Sequence, residues 1–138
     1  MVIRYAARED IPLLSEHDKH IGRDELRRSI DAERILLLFD GENFAGWLRY
    51  NLFWDNLPFM NMLYFLEEYR GRGYGGQLTA FWERKMAEKG YAMALTSTLS
   101  PERGQDFFRK HGYVDCGSLL LPDEPLEIIL RKDLKQAM

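Results

Sequence analysis

Glu67-Glu68-Tyr69-Arg70-Gly71-Arg72-Gly73-Tyr74-Gly75-Gly76-Gln77 joins a strand-like run to a helical one. Four glycines fall within the six residues Gly71–Gly76. They let the backbone adopt turns closed to other residues and come close to a ligand. Successive amide N–H groups there can converge on an anion, with the positive end of the following helix behind them. Arg70 and Arg72 add charge at the same place. The chemistry asked for is a phosphate or a pyrophosphate.

Two familiar phosphate motifs do not fit. Gly71, Gly73 and Gly76 formally match G-x-G-x-x-G. A dinucleotide fold, however, places that loop after its first strand and an acid at the end of the next one. Here three or four strands precede the loop, and the next strand ends in Thr96-Ser97-Thr98. The Walker pattern fails because no Gly-Lys-Ser/Thr follows. A plain surface turn has no use for flanking arginines.

Upstream of the loop, Val2–Ala6 reads as a strand, and Glu9–His20 and Arg23–Ala32 read as helices. Arg34–Phe39 is an apolar run, followed by turn chemistry at Asp40-Gly41-Glu42-Asn43 and a second strand over Phe44–Phe53. Phe59–Leu66 is the next strand. Downstream, Leu78, Phe81, Trp82 and Met86 recur at helical spacing within Gly73–Gly90. Tyr91–Thr98 is a strand. Ser100-Pro101-Glu102 has the pattern of a helix start, with a capping hydroxyl before a proline. Tyr113–Leu121 and Pro125–Arg131 close the chain as a hairpin, with Lys132–Met138 as a loosely held end. The order β-α-α-β-β-β-α-β-α-β-β predicts an α+β fold, a mixed, mostly antiparallel central sheet flanked by helices.

The chain has 138 residues, 46% hydrophobic and 30% charged, which fits one domain over residues 1–138. A formal charge of −3 argues against a nucleic-acid binder. The lone Cys116 excludes an internal disulfide, and three dispersed histidines give no metal-ligand spacing. No run is long enough for a signal peptide or a membrane span, so a cytoplasmic location without membrane association is expected.

Arg70-Gly71-Arg72-Gly73-Tyr74-Gly75 resembles the R/Q-x-x-G-x-G/A signature of the GNAT superfamily of acyl-CoA-dependent N-acyltransferases, in the style of its small bacterial members. Arg8-Glu9-Asp10 after the first strand is similar to the family's opening. Ala45-Gly46-Trp47-Leu48 resembles its strand hairpin, and Phe107-Phe108-Arg109-Lys110-His111-Gly112-Tyr113 its late F-Y-x-x-x-G-F motif. The resemblance implies an N-acetyltransferase that carries an acetyl group from acetyl-CoA to an amine by direct attack in a ternary complex. The amine, small molecule or peptide, is not named by the sequence, and a homodimer is left open.

The resemblance implies further that the backbone near Phe65, Leu66 and Glu67 pairs with the pantetheine arm where the fourth and fifth strands splay. The amides of Arg70, Gly71, Arg72, Gly73, Tyr74 and Gly75 would hold the pyrophosphate. The helix beginning at Ser100, with Phe108, would flank the cofactor. Phe108 stands where many members carry a proton-donating tyrosine, Pro101 where an asparagine is common, and Glu67 where proline is common. Tyr113, Tyr64 or water would have to replace the missing donor, and the N–H of Phe65 or Leu66 would polarise the carbonyl. Glu68, His17 and Asp18 are the candidates for handling the amine. Trp47, Tyr50, Phe53, Trp54 and Phe59, with Asp18 and Asp55, suggest an aromatic cleft for a cation. Two other readings stay open: an acyl-CoA-binding module without catalysis, and a nucleotide binder using the same loop.

Overall fold

The computed structural model describes residues 1–134. In chain order the elements are β1 (Val2–Tyr5), α1 (Ile11–His17), α2 (Arg23–Asp31), β2 (Ile35–Asp40), β3 (Asn43–Phe53) and β4 (Leu57–Phe65). These are followed by α3 (Tyr74–Glu88), β5 (Met93–Leu99), α4 (Gly104–Lys110), β6 (Val114–Leu119) and β7 (Glu127–Asp133). Short 3-10 turns occupy Arg8–Asp10 and Glu67–Tyr69. The seven strands form one sheet in the order β1-β2-β3-β4-β5-β7-β6. It is mostly antiparallel, with β4 and β5 parallel through Phe59–Leu95 and Met60–Thr96. The expected α+β class is the one observed.

The chain divides into two compact units: Met1–Asn51 with Met62–Thr79, and Leu52–Asn61 with the chain from Ala80 onward. In the first, Ile35, Leu36, Leu37 and Leu38 are all essentially inaccessible. That explains why β2 reads as a continuous apolar run rather than an alternation. Leu14 of α1 and Leu26 and Ile30 of α2 join Ile35, Leu37 and Trp47 in one core. Arg4 and the Ala7 N–H hold the Asp10 carboxylate at 2.7–3.0 Å and fix the entry into α1.

In the second unit β7 lies between β5 and β6, pairing Leu99 with Glu127 and Glu127 with Leu119. Glu83 of α3 accepts hydrogen bonds from the Tyr113 hydroxyl (2.9 Å) and Lys132 Nζ (2.8 Å). These bonds tie the helix to the end of α4 and to β7.

Several boundaries differ from the sequence reading. The first helix ends at His17 rather than His20, because Asp18 turns to an extended conformation and its side chain enters the core. The helix expected at Ser100 starts at Gly104. Ser100 N–H is donated instead to Leu126 O (2.7 Å), which continues the strand ladder. Gln105 Nε2 then bonds the carbonyls of Ser100 and Glu102 and closes the intervening turn. The closing hairpin is shorter than expected, ending at Leu119 and resuming at Glu127. Lys132 and Asp133 belong to β7, paired with Ala94 and Met93, and are not a loose end. The rest of that expected end, residues 135–138, lies outside the described residues.

Candidate active site

In the first unit β4 runs into the glycine loop through a single 3-10 turn. Gly71 and Gly73 have φ of +75° and +81°, in the left-handed region that side chains resist. Nothing stands within 4 Å of the place a Cβ would occupy at either glycine. The glycines are therefore required by backbone conformation, and the space above them is open. Gln77 N–H makes the first intrahelical bond of α3, to Gly73 O at 3.1 Å. The N–H groups of Tyr74, Gly75 and Gly76 precede it and have no partner within the helix. The open turn, the helix-end amides and the two arginines beside them are the groups a pyrophosphate would need.

The two arginines are anchored as well as charged. Arg70 Nε donates to Phe65 O (2.8 Å), and its guanidinium lies 5.0 Å above the Tyr64 ring. Arg72 reaches Asp40 at 3.4 Å and stacks at 5.5 Å on Tyr69. Asp40 is a partner that the sequence reading did not find. The Tyr74 ring stands 6.4 Å from that of Phe65.

The backbone of Phe65–Glu67 is only partly free. Leu66 N–H is donated to Ala45 O at 2.8 Å, so of the two expected carbonyl-polarising amides Leu66 is excluded. The carbonyls of Leu66 and Glu67 accept the N–H groups of Tyr69 and Arg70 inside the turn. Gly46, within the strand-hairpin motif of the sequence, has a specific steric reason. A Cβ there would stand 2.5 Å from Tyr64 O and 2.7 Å from Phe65 Cε1. Its absence lets the end of β4 lie flat against β3.

The amine-handling candidates separate clearly. The Asp18 side chain is 1% exposed. Its carboxylate accepts Arg49 Nε (2.9 Å), Trp47 Nε1 (3.2 Å) and His20 N–H (3.1 Å). The expectation that Asp18 meets an incoming amine is not met: its charge is neutralised by Arg49 and its lone pairs are engaged. His17 is half-buried, with its ring 5.4 Å from Phe44 and 6.3 Å from Trp47. Trp47 also lies 5.2 Å from the ring of Tyr64, which is exposed. Glu68 is exposed beside the loop. Tyr50 is buried and lines no open surface.

In the second unit Phe53 packs against Trp54 and Phe59, with Trp54 and Asp55 forming the tip of a tight turn at φ of +55° and +64°. Asp55 is a turn residue, not the wall of a cleft. Phe108 is buried, edge-on to Phe107 and Tyr113. Tyr113 cannot serve as the replacement acid. Burial, together with the charge and hydrogen bond of Glu83, pushes its hydroxyl far above the ordinary tyrosine range. Its proton is already committed to Glu83. Tyr64 is the remaining phenol among those candidates. His111 only closes α4, with Nδ1 2.8 Å from Phe107 O. Cys116 is exposed on β6. Among the described residues no group of His, Cys, Asp and Glu could hold a metal, and no helix is long and apolar enough to cross a membrane.

A mixed sheet with a parallel β4–β5 pair, and a glycine-arginine loop heading the helix after β4, define an acetyltransferase class of fold. Residues 4–113 match the model of the acetyltransferase (GNAT) family, and the chain belongs to that family. No curated protein sequence matches it. Among solved structures, it is similar to a GNAT-family acetyltransferase from Bacillus cereus at 22% identity over 98% of both chains, with a TM-score of 0.77. A PaiA N-acetyltransferase from Thermoplasma acidophilum in complex with coenzyme A matches at 17% identity, over 96% of this chain and 98% of that one, with a TM-score of 0.79. The ribosomal-protein-S18-alanine N-acetyltransferase from Escherichia coli matches at 13% identity, over 99% and 96%, also with a TM-score of 0.79. At such identities the likeness is one of fold.

Proposed function

We propose that residues 1–138 form a single acetyltransferase domain that passes the acetyl group of acetyl-CoA to a primary amine by direct attack in a ternary complex. The observation that carries this reading is the open cradle of Gly71 and Gly73 at the head of α3. The amides of Gly71–Gly75 hold the pyrophosphate there; the Arg70 N–H, already donated to Glu67 O, adds only its side chain, and the pantetheine arm meets the N–H groups of Phe65 and Glu67, since Leu66 N–H is taken by Ala45 O. The family resemblance also assigns Ser100 and Phe108 to the cofactor. Bound acetyl-CoA supplies an activated thioester whose sulfur leaves as a thiolate; a thiol has a reference pKa of about 8.5. The departure therefore needs no strong acid, which accounts for phenylalanine at position 108.

The protein's own contribution is then to hold and orient the reactants. The Phe65 N–H is the amide left to polarise the carbonyl. His17 and Glu68 contact the acceptor rather than the cofactor. A peptide or small-molecule amine fits, and similarity to enzymes named for acetylating ribosomal-protein alanine supports a peptide among the acceptors to be tried first. A cytoplasmic setting, where acetyl-CoA is made and an exposed Cys116 stays reduced, suits this activity. The test is an acetyl-CoA-dependent screen of peptide and alkyl amines read by thiol release. Amine-dependent release supports the reading. Acetyl-CoA binding without release from any amine would favour the second reading, a non-catalytic acyl-CoA-binding module. That reading draws on the missing phenol at Phe108 and the engaged hydroxyl of Tyr113.

A further inference from the structure

The hairpin between β3 and β4 closes through Phe53-Trp54-Asp55-Asn56, with Asn56 N–H donated to Phe53 O at 3.2 Å. Its two central residues, Trp54 and Asp55, both have positive φ, +55° and +64°. A two-residue turn with both centres in the left-handed region is the kind that calls for Asn-Gly or Asp-Gly. Aspartate is tolerated there, whereas a bulky side chain resists it. The turn therefore holds Trp54 in a conformation that its ring does not favour. Phe53–Asn56 lies wholly in the second unit, so this surface is complete within it.

Packing does not explain that conformation. Trp54 is 76% exposed, while the other two tryptophans, Trp47 and Trp82, are 2% and 0% exposed. Its ring lies 4.7 Å from that of Phe53, which is itself exposed and reaches Phe59 at 6.3 Å. Strain kept at an exposed position points to use rather than to stability. The chemistry of the tip is one-sided. The ring faces of Trp and Phe attract cations. The Asp55 carboxylate beside them is exposed and has no ion pair among the described residues. From Tyr50 to Tyr69 the chain carries no lysine or arginine. A tryptophan seated in an anionic membrane draws on basic neighbours, and this hairpin supplies none from Tyr50 onward.

We propose that the tip Phe53–Asp55 is a docking surface for a basic segment of a partner protein. The stem of a lysine or arginine from that segment lies against the Trp54 and Phe53 rings, and its charged head meets Asp55. An exposed aromatic pair with an unpaired acid is complementary to such a side chain in both shape and charge. Tryptophan is also among the residues on which protein contacts concentrate their energy. The surface is an open knob and not a cleft, so it takes a side chain presented by a longer chain rather than a free small amine. Docking there needs neither acetyl-CoA nor the glycine loop, and it stands or falls apart from the acetyl-transfer reading.

The test uses the whole chain, with N-acetylated tetralysine amide as the probe. Trp54 is the one exposed indole, so tetralysine should change the tryptophan emission saturably, and tetraglutamate should not. Calorimetry then compares variants. Asp55→Asn should weaken tetralysine binding about two- to fivefold, the worth of one exposed charge contact. Asp123→Asn, which removes an exposed acid from the turn before β7, should leave the affinity unchanged. The double variant Trp54→Asn/Asp55→Gly carries the residues the turn prefers. It should unfold at a higher urea concentration than wild type and bind tetralysine at least about fivefold more weakly. Wild-type affinity in the double variant would overturn the proposal, as would equal weakening by Asp123→Asn. Emission changes with phosphatidylserine vesicles and none with tetralysine would overturn it in favour of a membrane contact. A lower urea midpoint for the double variant would overturn the strain from which the proposal starts.

Discussion

Replacing Asp18 with alanine should cost stability without touching the acetyl-CoA cradle. Asp18 is buried with Arg49, and Arg49, Trp47 and His20 all donate to its carboxylate. Removing it leaves the Arg49 guanidinium, itself only 10% exposed, without its counter-charge, and orphans the Trp47 indole N–H. Breaking a buried pair from one side costs about 3–5 kcal/mol. Total stability of a domain this size is of the order of 5–15 kcal/mol. At roughly 4 °C per kcal/mol the melting temperature should drop by about 12–20 °C. The assay is urea and thermal unfolding of wild type, Asp18→Ala, Arg49→Met and the double variant. The double variant should recover part of the loss, because it removes the stranded charge. A loss under about 1 kcal/mol in Asp18→Ala, or strict additivity in the double variant, would refute the reasoning and return Asp18 to the acceptor site.

Gly46→Ala should destabilise by roughly 1–3 kcal/mol, since the new methyl overlaps a backbone oxygen as well as the Phe65 ring; urea unfolding measures it. Asp10→Asn should be less stable than wild type at pH 7 by roughly 1.5–3 kcal/mol, the worth of a hydrogen bond to a charged group, because the bonds from Arg4 lose their charge. Hydrogen bonds from Arg4, supported by Ala7 N–H and opposed by burial, hold the Asp10 carboxyl below its ordinary range. Its contribution is therefore full above the ordinary carboxylate pKa and is lost as pH falls through the lower folded value. The gap between the two proteins should begin to narrow below about pH 4 and close only below the lower folded value, as unfolding followed from pH 7 downward would show. Phe108→Tyr should keep or raise thiol release, because it adds only a hydroxyl where the family carries a donor. A large fall in turnover at unchanged acetyl-CoA affinity would count against that placement.

What was legible in the sequence was what local chemistry encodes. The apolar run Ile35–Leu38, the helical spacing through Leu78, Trp82 and Met86, and the glycine loop each carry their own signal and folded as expected. The misreadings arose where a distant partner decides. Ser100-Pro101 has the composition of a helix start, but Leu126 holds Ser100 in the ladder. Asp18 looked like an exposed helix end because Arg49, its partner, lies 31 residues away. Tyr113 passed for a spare acid for the same reason, with Glu83 30 residues distant. Glu127 gave no signal at all: one of three acids, with Asp123 and Glu124, around a turn with two prolines is ordinary in sequence. Only the register that places it between Leu99 and Leu119, beside Ser97, sets it apart.

The central claim, that the loop Arg70–Gly76 holds the pyrophosphate of acetyl-CoA, is tested most directly by calorimetric titration of acetyl-CoA into wild type, Gly73→Val and Arg72→Ala. Valine at position 73 meets a φ of +81° and fills the open space above the turn, so the cradle is lost while the Leu78–Trp82 face still packs. Arg72→Ala removes one half-exposed charge and leaves the amides in place. The account predicts saturable binding by wild type, weakened binding by Arg72→Ala, and none by Gly73→Val with its circular dichroism retained. Wild type should also gain about 2.7 kcal/mol of stability at an acetyl-CoA concentration 100 times Kd. Binding by Gly73→Val equal to wild type, or no binding by wild type, would contradict it.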